Sequence, residues 1–182
     1  MATLSVGGQL VSTNDTLSNG VQDNITRLGA VTAGNLSNTA IVYPAGHIIQ
    51  TVSKDTFTGF VDNSTEDYEP TGVELPITIT SGNKVLILAH IWLAAWSGGN
   101  DVGTKFKLYD ETNSNYLGNI VVPMYGHEGG GAAGIEIMSS VTQLYTPPTT
   151  TTNFEAHFMC GWGGTARVYR DRCTLTLIEV QT

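Results

Sequence analysis

Charged side chains are scarce in this chain. Only 13% of its 182 residues are Asp, Glu, Lys or Arg, against roughly 25% in a typical globular domain. Its formal net charge of −8 repels the phosphate backbone of nucleic acid, so we expect no nucleic-acid partner. A low-charge chain rich in Thr, Asn, Ser and Gly is more typical of rigid all-β surface and shell proteins than of helical cytosolic enzymes.

The chain also lacks segments that would direct it to a membrane. Its opening residues, MATLSVGGQLVST, contain neither the basic stretch nor the apolar core of a signal peptide. No apolar run approaches the roughly 18 to 20 residues of a membrane span. We therefore expect synthesis in a reducing cytoplasm and no membrane partner.

Cysteine is nearly absent, with only Cys160 and Cys173 present. If the glycine-rich segment near Gly163 turned a hairpin, Cys160 would lie opposite Arg167, and Cys173 would follow several residues further along the strand. At about 3.3 Å per residue, this separation exceeds the roughly 7 Å that a disulfide spans between Cα atoms. We predict two free, buried thiols.

Most of the chain consists of strand-like segments separated by Gly, Asn, Pro and Ser turns, and no segment carries the apolar stripe and caps of a helix. The longest apolar run, KVLILAHIWLAAW at residues 84–96, predicts a buried strand with a bulge at Ala94 and Ala95, because it is rich in Val and Ile and flanked by turns. The other predicted strands occupy residues 46–53, 73–80, 104–111, 115–125, 134–145, 153–161 and 166–180. This pattern predicts an all-β fold, and a jelly-roll β-sandwich is the preferred architecture.

The N-terminal segment differs in character from the rest. It contains no aromatic side chain before Tyr43, and its apolar residues are short and scattered. Such a segment cannot form a core alone. We predict an extended N-terminal arm over residues 1–43, with small strands at 26–34 and 38–43, followed by a β-sandwich domain over residues 44–182.

The final segment, CTLTLIEVQT at residues 173–182, is apolar on both faces of one predicted strand. Alternation places Leu175 and Leu177 on one face and Ile178 and Val180 on the other. We expect the first pair to pack in the core of the domain and the second pair to meet another copy of the chain.

No residue pattern supports catalysis, a metal ion or a cofactor. The four histidines lack metal-ligand spacing, and we interpret His90 and His157, which lie in predicted strands, as satisfied core or interface residues. The glycine-rich loop after His127 lacks the Lys-Ser/Thr of a phosphate-binding loop. His127 and Glu128 are adjacent, so they would point to opposite faces of a strand instead of forming an acid–base pair.

Two charged clusters are interpreted as solvated surface. Arg167, Arg170 and Arg172 flank Asp171, which is typical of a solvated sheet edge. The acidic segment VDNSTEDYEP at residues 61–70 has enough carboxylates for calcium, but it lacks the Gly and terminal Glu of an EF-hand loop. A solvated acidic loop is the preferred interpretation.

Three sequence segments resemble known proteins: YPAGHIIQTVS, TGVELPITITSGNKVLILAHI and CTLTLIEVQT. They resemble a domain that recurs in virion proteins of tailed bacteriophages, notably those of cyanobacteria and marine bacteria. The resemblance covers about residues 43–182, and the preceding DNITRLGAVTAGNLSN is similar to repeats upstream of such domains in phage tail fibres. It implies a trimeric jelly roll, similar to tumour-necrosis-factor and complement-C1q heads, used for attachment or decoration and not for catalysis.

The residues and the resemblance together predict a capsid cement or head-decoration protein, located in the virion, because the chain has no room for the shaft and anchoring domain of a fibre. Its expected partners are other copies of itself in a homotrimer and the major capsid protein or another virion protein. The predicted trimer interface contains Ile178, Val180, His90 and Trp92. The predicted capsid-binding arm contains Leu4, Val6, Leu10, Val11, Leu17, Val21, Ile25 and Leu28.

Two alternatives remain open. A short tail fibre, tail adaptor or receptor-binding head would recognise a host glycan, and exposed Trp96, Trp162 or loop tyrosines would favour it, since aromatic faces suit sugar rings. A carbohydrate-active or metal-dependent jelly-roll enzyme is the least favoured alternative, because the ligand spacing is missing.

Overall fold

The computed structural model describes residues 3–6, 9–13, 16–17, 44–97, 101–118, 124–127, 133–161 and 164–182. The chain divides into two compact units, Met1–Val42 and Tyr43–Thr182. In the first unit, strands β1 (Thr3–Val6), β2 (Gln9–Thr13) and β3 (Thr16–Leu17) form an antiparallel sheet in that order. The arm residues Leu4, Val6, Leu10, Val11 and Leu17 lie in these strands. Val21, Ile25, Leu28 and the predicted strands at 26–34 and 38–43 lie outside the described residues.

The second unit is built from strands. They are β4 (Ile48–Lys54), β5 (Phe60–Asn63), β6 (Glu69–Thr78), β7 (Lys84–Ser97), β8 (Asp101–Asp110), β9 (Asn115–Leu117), β10 (Met124–His127), β11 (Ala133–Tyr145), β12 (Thr151–Gly161), β13 (Thr165–Tyr169) and β14 (Thr174–Val180). A single 3₁₀ turn, Arg170–Arg172, separates β13 from β14, and the described part of the chain contains no α-helix. The all-β prediction is confirmed.

The strands form two antiparallel sheets with the order of a jelly roll. Sheet 1 has the order β4-β14-β7-β11, and β13, beside β7 where β14 stops, pairs with β5. Sheet 2 has the order β6-β12-β8-β10, with β9 pairing with β8. Each sheet therefore mixes early and late strands, as two Greek keys require. The jelly-roll β-sandwich expected from the sequence is confirmed.

The core lies between the two sheets. Alternate residues of β7 from Val85 to Leu93 are buried, and they pack in one cluster with Phe106 of β8 and the β12 phenylalanines. Leu175 and Leu177 of β14 belong to the same cluster and are fully buried, as the alternation predicted. Burial of each such side chain stabilises the fold by about 2 kcal/mol.

Two local predictions are wrong. β7 pairs with β11 in unbroken register, so there is no bulge at Ala94 and Ala95, whose side chains simply continue the alternation. The segment between β12 and β13 is not a hairpin, because β12 lies in sheet 2 and β13 in sheet 1. Cys160 therefore lies in one sheet and Cys173 precedes β14 of the other. Both thiols are free and buried, as predicted, although for a different reason.

One carboxylate is buried at the end of the core face of β14. Glu179 is 1% exposed, and its Oε1 accepts hydrogen bonds from the Thr80 N–H at 2.7 Å and the Asn83 Nδ2 at 2.6 Å. Its Oε2 accepts one from the Gln50 Nε2 at 2.7 Å. Burial alone would raise the pKa of Glu179, but these hydrogen bonds outweigh it and lower the pKa below its usual value. Glu179 thus joins β14 to β4 and to the turn before β7.

Replacing this carboxylate should reduce stability in a pH-dependent way. We expect Glu179→Gln to lower the free energy of unfolding by roughly 2 kcal/mol at neutral pH, since charged hydrogen bonds are replaced by weaker ones. Because the folded pKa is lower than the unfolded pKa, the contribution of Glu179 is complete above the unfolded pKa and is lost as pH falls through the folded pKa. Urea denaturation of the wild type and the variant between pH 7 and pH 3 measures this difference. The exposed Asp55→Asn is the control, and a difference that does not shrink with acid would contradict the assignment.

Candidate functional site

Most exposed large hydrophobic side chains lie on the side of sheet 1 that faces away from the core. Among described residues, five of the seven such side chains are there. These five are Ile48, Phe60, Trp96, Met138 and Leu144. We call this surface the sheet-1 face and define it by these residues together with Leu86, Leu88, His90, Trp92, Arg167, Tyr169, Ile178 and Val180. Exposed apolar side chains that are concentrated on one face often mark a binding surface.

The strand register places all four predicted interface residues on the sheet-1 face. Buried and outward residues alternate along β7, so His90 and Trp92 point away from the core. β14 alternates in the same way, and Ile178 is paired with the outward Leu86. His90 is exposed, and its Nδ1 lies 2.7 Å from the Ser140 Oγ. Val180, like Ile178, is half-buried.

Arg167 sits at the centre of one aromatic cluster on this face. Its Nε and Nη2 donate to the two carboxylate oxygens of Asp62 at 2.6 and 2.8 Å. The guanidinium carbon lies 3.7 Å from the ring centroid of Phe60 and 4.9 Å from that of Trp96. Such cation–π contacts are strongest where water is excluded.

A second, similar cluster surrounds Arg172. Its Nη1 donates to the Glu136 Oε1 at 2.8 Å, and the Trp92 Nε1 donates to the same oxygen. The guanidinium carbon lies about 5 Å from the rings of both Trp92 and Tyr169. The predicted sheet edge is wrong for Arg167, because its strand β13 is flanked by β7 and β5. Arg172 lies in the 3₁₀ turn and its side chain is 50% exposed, in keeping with a solvated position.

A shallow groove of about 350 Å³ opens beside Trp96. It is lined by Ala94, Ala95 and Trp96 of β7 and by Gly134, Ile135 and Glu136 of the paired strand β11. A Cβ added at Gly134 would meet no atom within 4 Å, so the space above it is open. Trp96 is 38% exposed and forms one wall.

The outward side of sheet 2 carries a different cluster, centred on His157. The His157 Nε2 lies 2.8 Å from the Glu111 Oε1 and 3.7 Å from the Glu155 Oε2. His157 and Glu155 are only 7% and 5% exposed. The Gly72 N–H donates to the other Glu155 oxygen at 2.5 Å.

Hydrogen bonds shift the pKa values of two groups in this cluster, His157 and Glu155. Burial alone would lower the pKa of His157, but the hydrogen bonds that its ring donates to Glu155 and Glu111 outweigh it and raise the pKa. Burial likewise would raise the pKa of Glu155, but the hydrogen bonds from His157 and Gly72 lower it. The sequence interpretation of His157 as a satisfied histidine agrees with this geometry. Its partners were missed, although Glu155 and His157, two apart on one strand, necessarily share a face.

Of the other candidate residues from the sequence, some lie within the described ranges and some lie outside them. Asp62 lies in β5 and pairs with Arg167, and Glu69 begins β6, so the loop is shorter than the predicted acidic segment. Glu66 and Asp67, between these strands, are exposed, in keeping with a solvated loop. Trp162, Glu128 and most of the glycine-rich loop lie outside the described residues. Within the described ranges, no helix has the length and hydropathy needed to cross a membrane.

Comparison with known proteins assigns no family. No family model matches the chain, and no curated protein does. Among solved structures, the C-terminal domain of EclA, a sugar-binding protein, is 13% identical with a TM-score of 0.35, over 88% of this chain and 98% of that one. The CBM22-1 xylan-binding domain of Xyn10C from Paenibacillus barcinonensis is 12% identical with a TM-score of 0.33, over 78% and 99%. A chain of the T13 IBDV viral particle is 12% identical with a TM-score of 0.28, over 83% of this chain and 39% of that one. Similarities this low assign no ligand to this chain.

Proposed function

We propose that this protein is a non-enzymatic structural protein of a tailed-phage virion, and that its head forms a homotrimer through the sheet-1 face. The observation that carries the proposal is the concentration of exposed apolar side chains on that face. The face lies on paired strands of one sheet, so its backbone is already ordered and association costs little conformational entropy. The resemblance to trimeric phage heads supports the same arrangement.

The charges of the sheet-1 face are arranged in a way that suits burial between subunits. Arg167 and Arg172 each bind a carboxylate of the same face, Asp62 and Glu136 respectively. Burying a charge without a partner is costly, whereas a pair that is already formed brings its own neutralisation. Aromatic and arginine side chains are also the residues most enriched in the centres of protein interfaces.

In this proposal the N-terminal unit binds the shell. Its short apolar side chains, from Leu4 to Leu28, would bury against the major capsid protein or another virion protein, by adding strands to an exposed sheet edge. Three such units on one trimer multiply weak contacts through effective concentration. The protein then acts as a capsid cement or head-decoration protein and is located in the virion.

A second candidate function is glycan recognition by a tail-type head. The groove beside Trp96 favours it, because an exposed indole ring next to an open floor provides a stacking surface for a sugar ring. Arg167 and Glu136 border the same region and offer hydrogen bonds to hydroxyl groups. The number of copies per virion separates the two functions, since hundreds indicate decoration and a few trimers indicate the tail.

The trimer interface can be tested by placing a charge on it. Ile178→Asp should convert the trimer to monomers, because an unpaired carboxylate would be buried between subunits, and light scattering after size-exclusion chromatography measures the mass. Thr151→Asp on sheet 2 is the matched control and should remain trimeric. If Ile178→Asp is insoluble, Leu144→Asp decides, since Leu144 is 50% exposed. A soluble trimer in either interface variant would show that the sheet-1 face is not the interface.

The division of labour between the units can be tested by deletion. A chain lacking residues 1–39 should remain a soluble trimer but should no longer sediment with capsids, because the shell contacts are assigned to the removed residues. The full-length chain is the positive control. Retained capsid binding by the truncated trimer would refute the role of the arm.

The glycan alternative predicts a specific loss of binding. If the groove binds sugars, the wild type should bind members of a glycan array drawn from host surfaces, and Trp96→Ala should weaken this binding at least about tenfold through lost stacking. Tyr116→Ala on sheet 2 is the control, since Tyr116 is exposed to a similar extent, 39%. If Trp96→Ala binds the glycans as tightly as Tyr116→Ala does, the groove beside Trp96 is not the glycan-binding site.

A further inference from the structure

The cluster of Glu111, Glu155 and His157 holds more carboxylate than cation. Two carboxylates face one imidazole, so the cluster carries a net negative charge whether or not the ring is protonated. Lys107 is paired with His157 in the register of β8 and β12. Its Nζ lies over the rings of Tyr68 and Tyr116, at 4.6 and 5.3 Å. Unbalanced charge beside two side chains that are more than nine-tenths buried is costly without a further cation.

The three side chains already converge as metal ligands would. One ligand atom from each lies within 4.8 Å of the others. The His157 Nε2 is 2.8 Å from one carboxylate oxygen and 3.7 Å from the other, which brackets the separation of roughly 3.3 Å between ligands bound at about 2.0 to 2.1 Å in a tetrahedral site. Both distances lie within about half an ångström of the tetrahedral separation.

The surrounding groups hold the ligands in position. The Gly72 N–H fixes the Glu155 oxygen that faces away from the ring. The Tyr116 hydroxyl lies 3.3 Å from the His157 Nδ1, so that Nδ1–H can donate to it while Nε2 faces the two carboxylates. Tyr109 stacks on the imidazole at 4.3 Å between centroids. A hydrogen bond on the second ring nitrogen is the usual device that orients a metal-binding histidine.

We propose that Glu111, Glu155 and His157 form a binding site for one divalent transition-metal ion of the Zn²⁺ class. One nitrogen and two carboxylate oxygens suit Zn²⁺ or its first-row neighbours, whereas Ca²⁺ and Mg²⁺ prefer all-oxygen sites. The ion replaces the proton between Nε2 and the carboxylates. The Glu111 side chain is 35% exposed, so the fourth ligand position opens to water. The ion would tie β12 to the turn after β8, and this site is independent of the proposed trimer interface because it lies on sheet 2.

Zinc binding to the full-length chain tests the proposal. Protein stripped with a chelator and exchanged into metal-free buffer is titrated with Zn²⁺ by isothermal calorimetry, and its melting temperature is measured with and without the ion. We expect one high-affinity Zn²⁺ per chain and a rise of several degrees at saturation, since the ion binds only the folded state. Addition of Ca²⁺ or Mg²⁺ should not displace it. The proposal would be overturned if Zn²⁺ did not bind, or if Ca²⁺ displaced the bound Zn²⁺.

Variants locate the ion. Glu111→Gln and His157→Gln should each weaken Zn²⁺ binding at least about tenfold, whereas Asp55→Asn, an exposed carboxylate outside the cluster, should leave it unchanged. Circular dichroism verifies that each variant is folded, and Glu111→Gln decides if the buried His157→Gln does not fold. Loss of the visible absorption of bound Co²⁺ in the same variants gives a readout that a purely structural role would not change. Undiminished binding in Glu111→Gln would place the ion elsewhere and refute the site.

Discussion

The β-sandwich unit, Tyr43–Thr182, depends on the burial of one strand, β7. This strand is 14 residues long, and both of its edges are paired, one with β11 and the other with β14 and β13. Both of its faces are apolar, which is typical of a strand covered on two sides. Sheet 2 covers the face that includes Ile87 and Ile91. The opposite face, with Leu86, Leu88 and Trp92, has no second layer from its own unit among the described residues, and the proposed self-association through the sheet-1 face would cover it.

The two outward surfaces of the sandwich treat charge differently. On the sheet-1 face, Arg167 and Arg172 are matched with carboxylates and sit among aromatic rings. On sheet 2, Glu111 and Glu155 share a single histidine. A neutralised, apolar surface suits a protein partner, whereas a concentrated carboxylate cluster suits a small cation. One fold thus presents two chemically distinct surfaces, because outward residues are free to vary while the core residues are not.

The sequence predicted the features that depend on the alternation of side chains along one strand. It did not predict the features that depend on pairing between strands distant in the sequence. The period of two identified most strands and placed Leu177 in the core and Ile178 outward. It could not tell that the glycine-rich segment after Cys160 crosses between sheets, since a hairpin and a crossing need similar turn residues. It also could not bring Glu111 to His157, because 46 positions separate them and the β8–β12 pairing places the turn after β8 beside β12.

The pairing of β4 with β14 makes sheet 1 one of the last parts of the β-sandwich unit to form. These strands are joined by the Gln50–Glu179 hydrogen bond across 129 positions, so sheet 1 closes only after nearly the whole unit has been synthesised. Folds dominated by such distant contacts form slowly, on the order of milliseconds to seconds. Until β14 docks, β7 has an open apolar edge, which is the type of surface that aggregates. At high rates of synthesis, this topology would therefore favour chains that fold quickly after release from the ribosome, or that a chaperone protects until sheet 1 is closed.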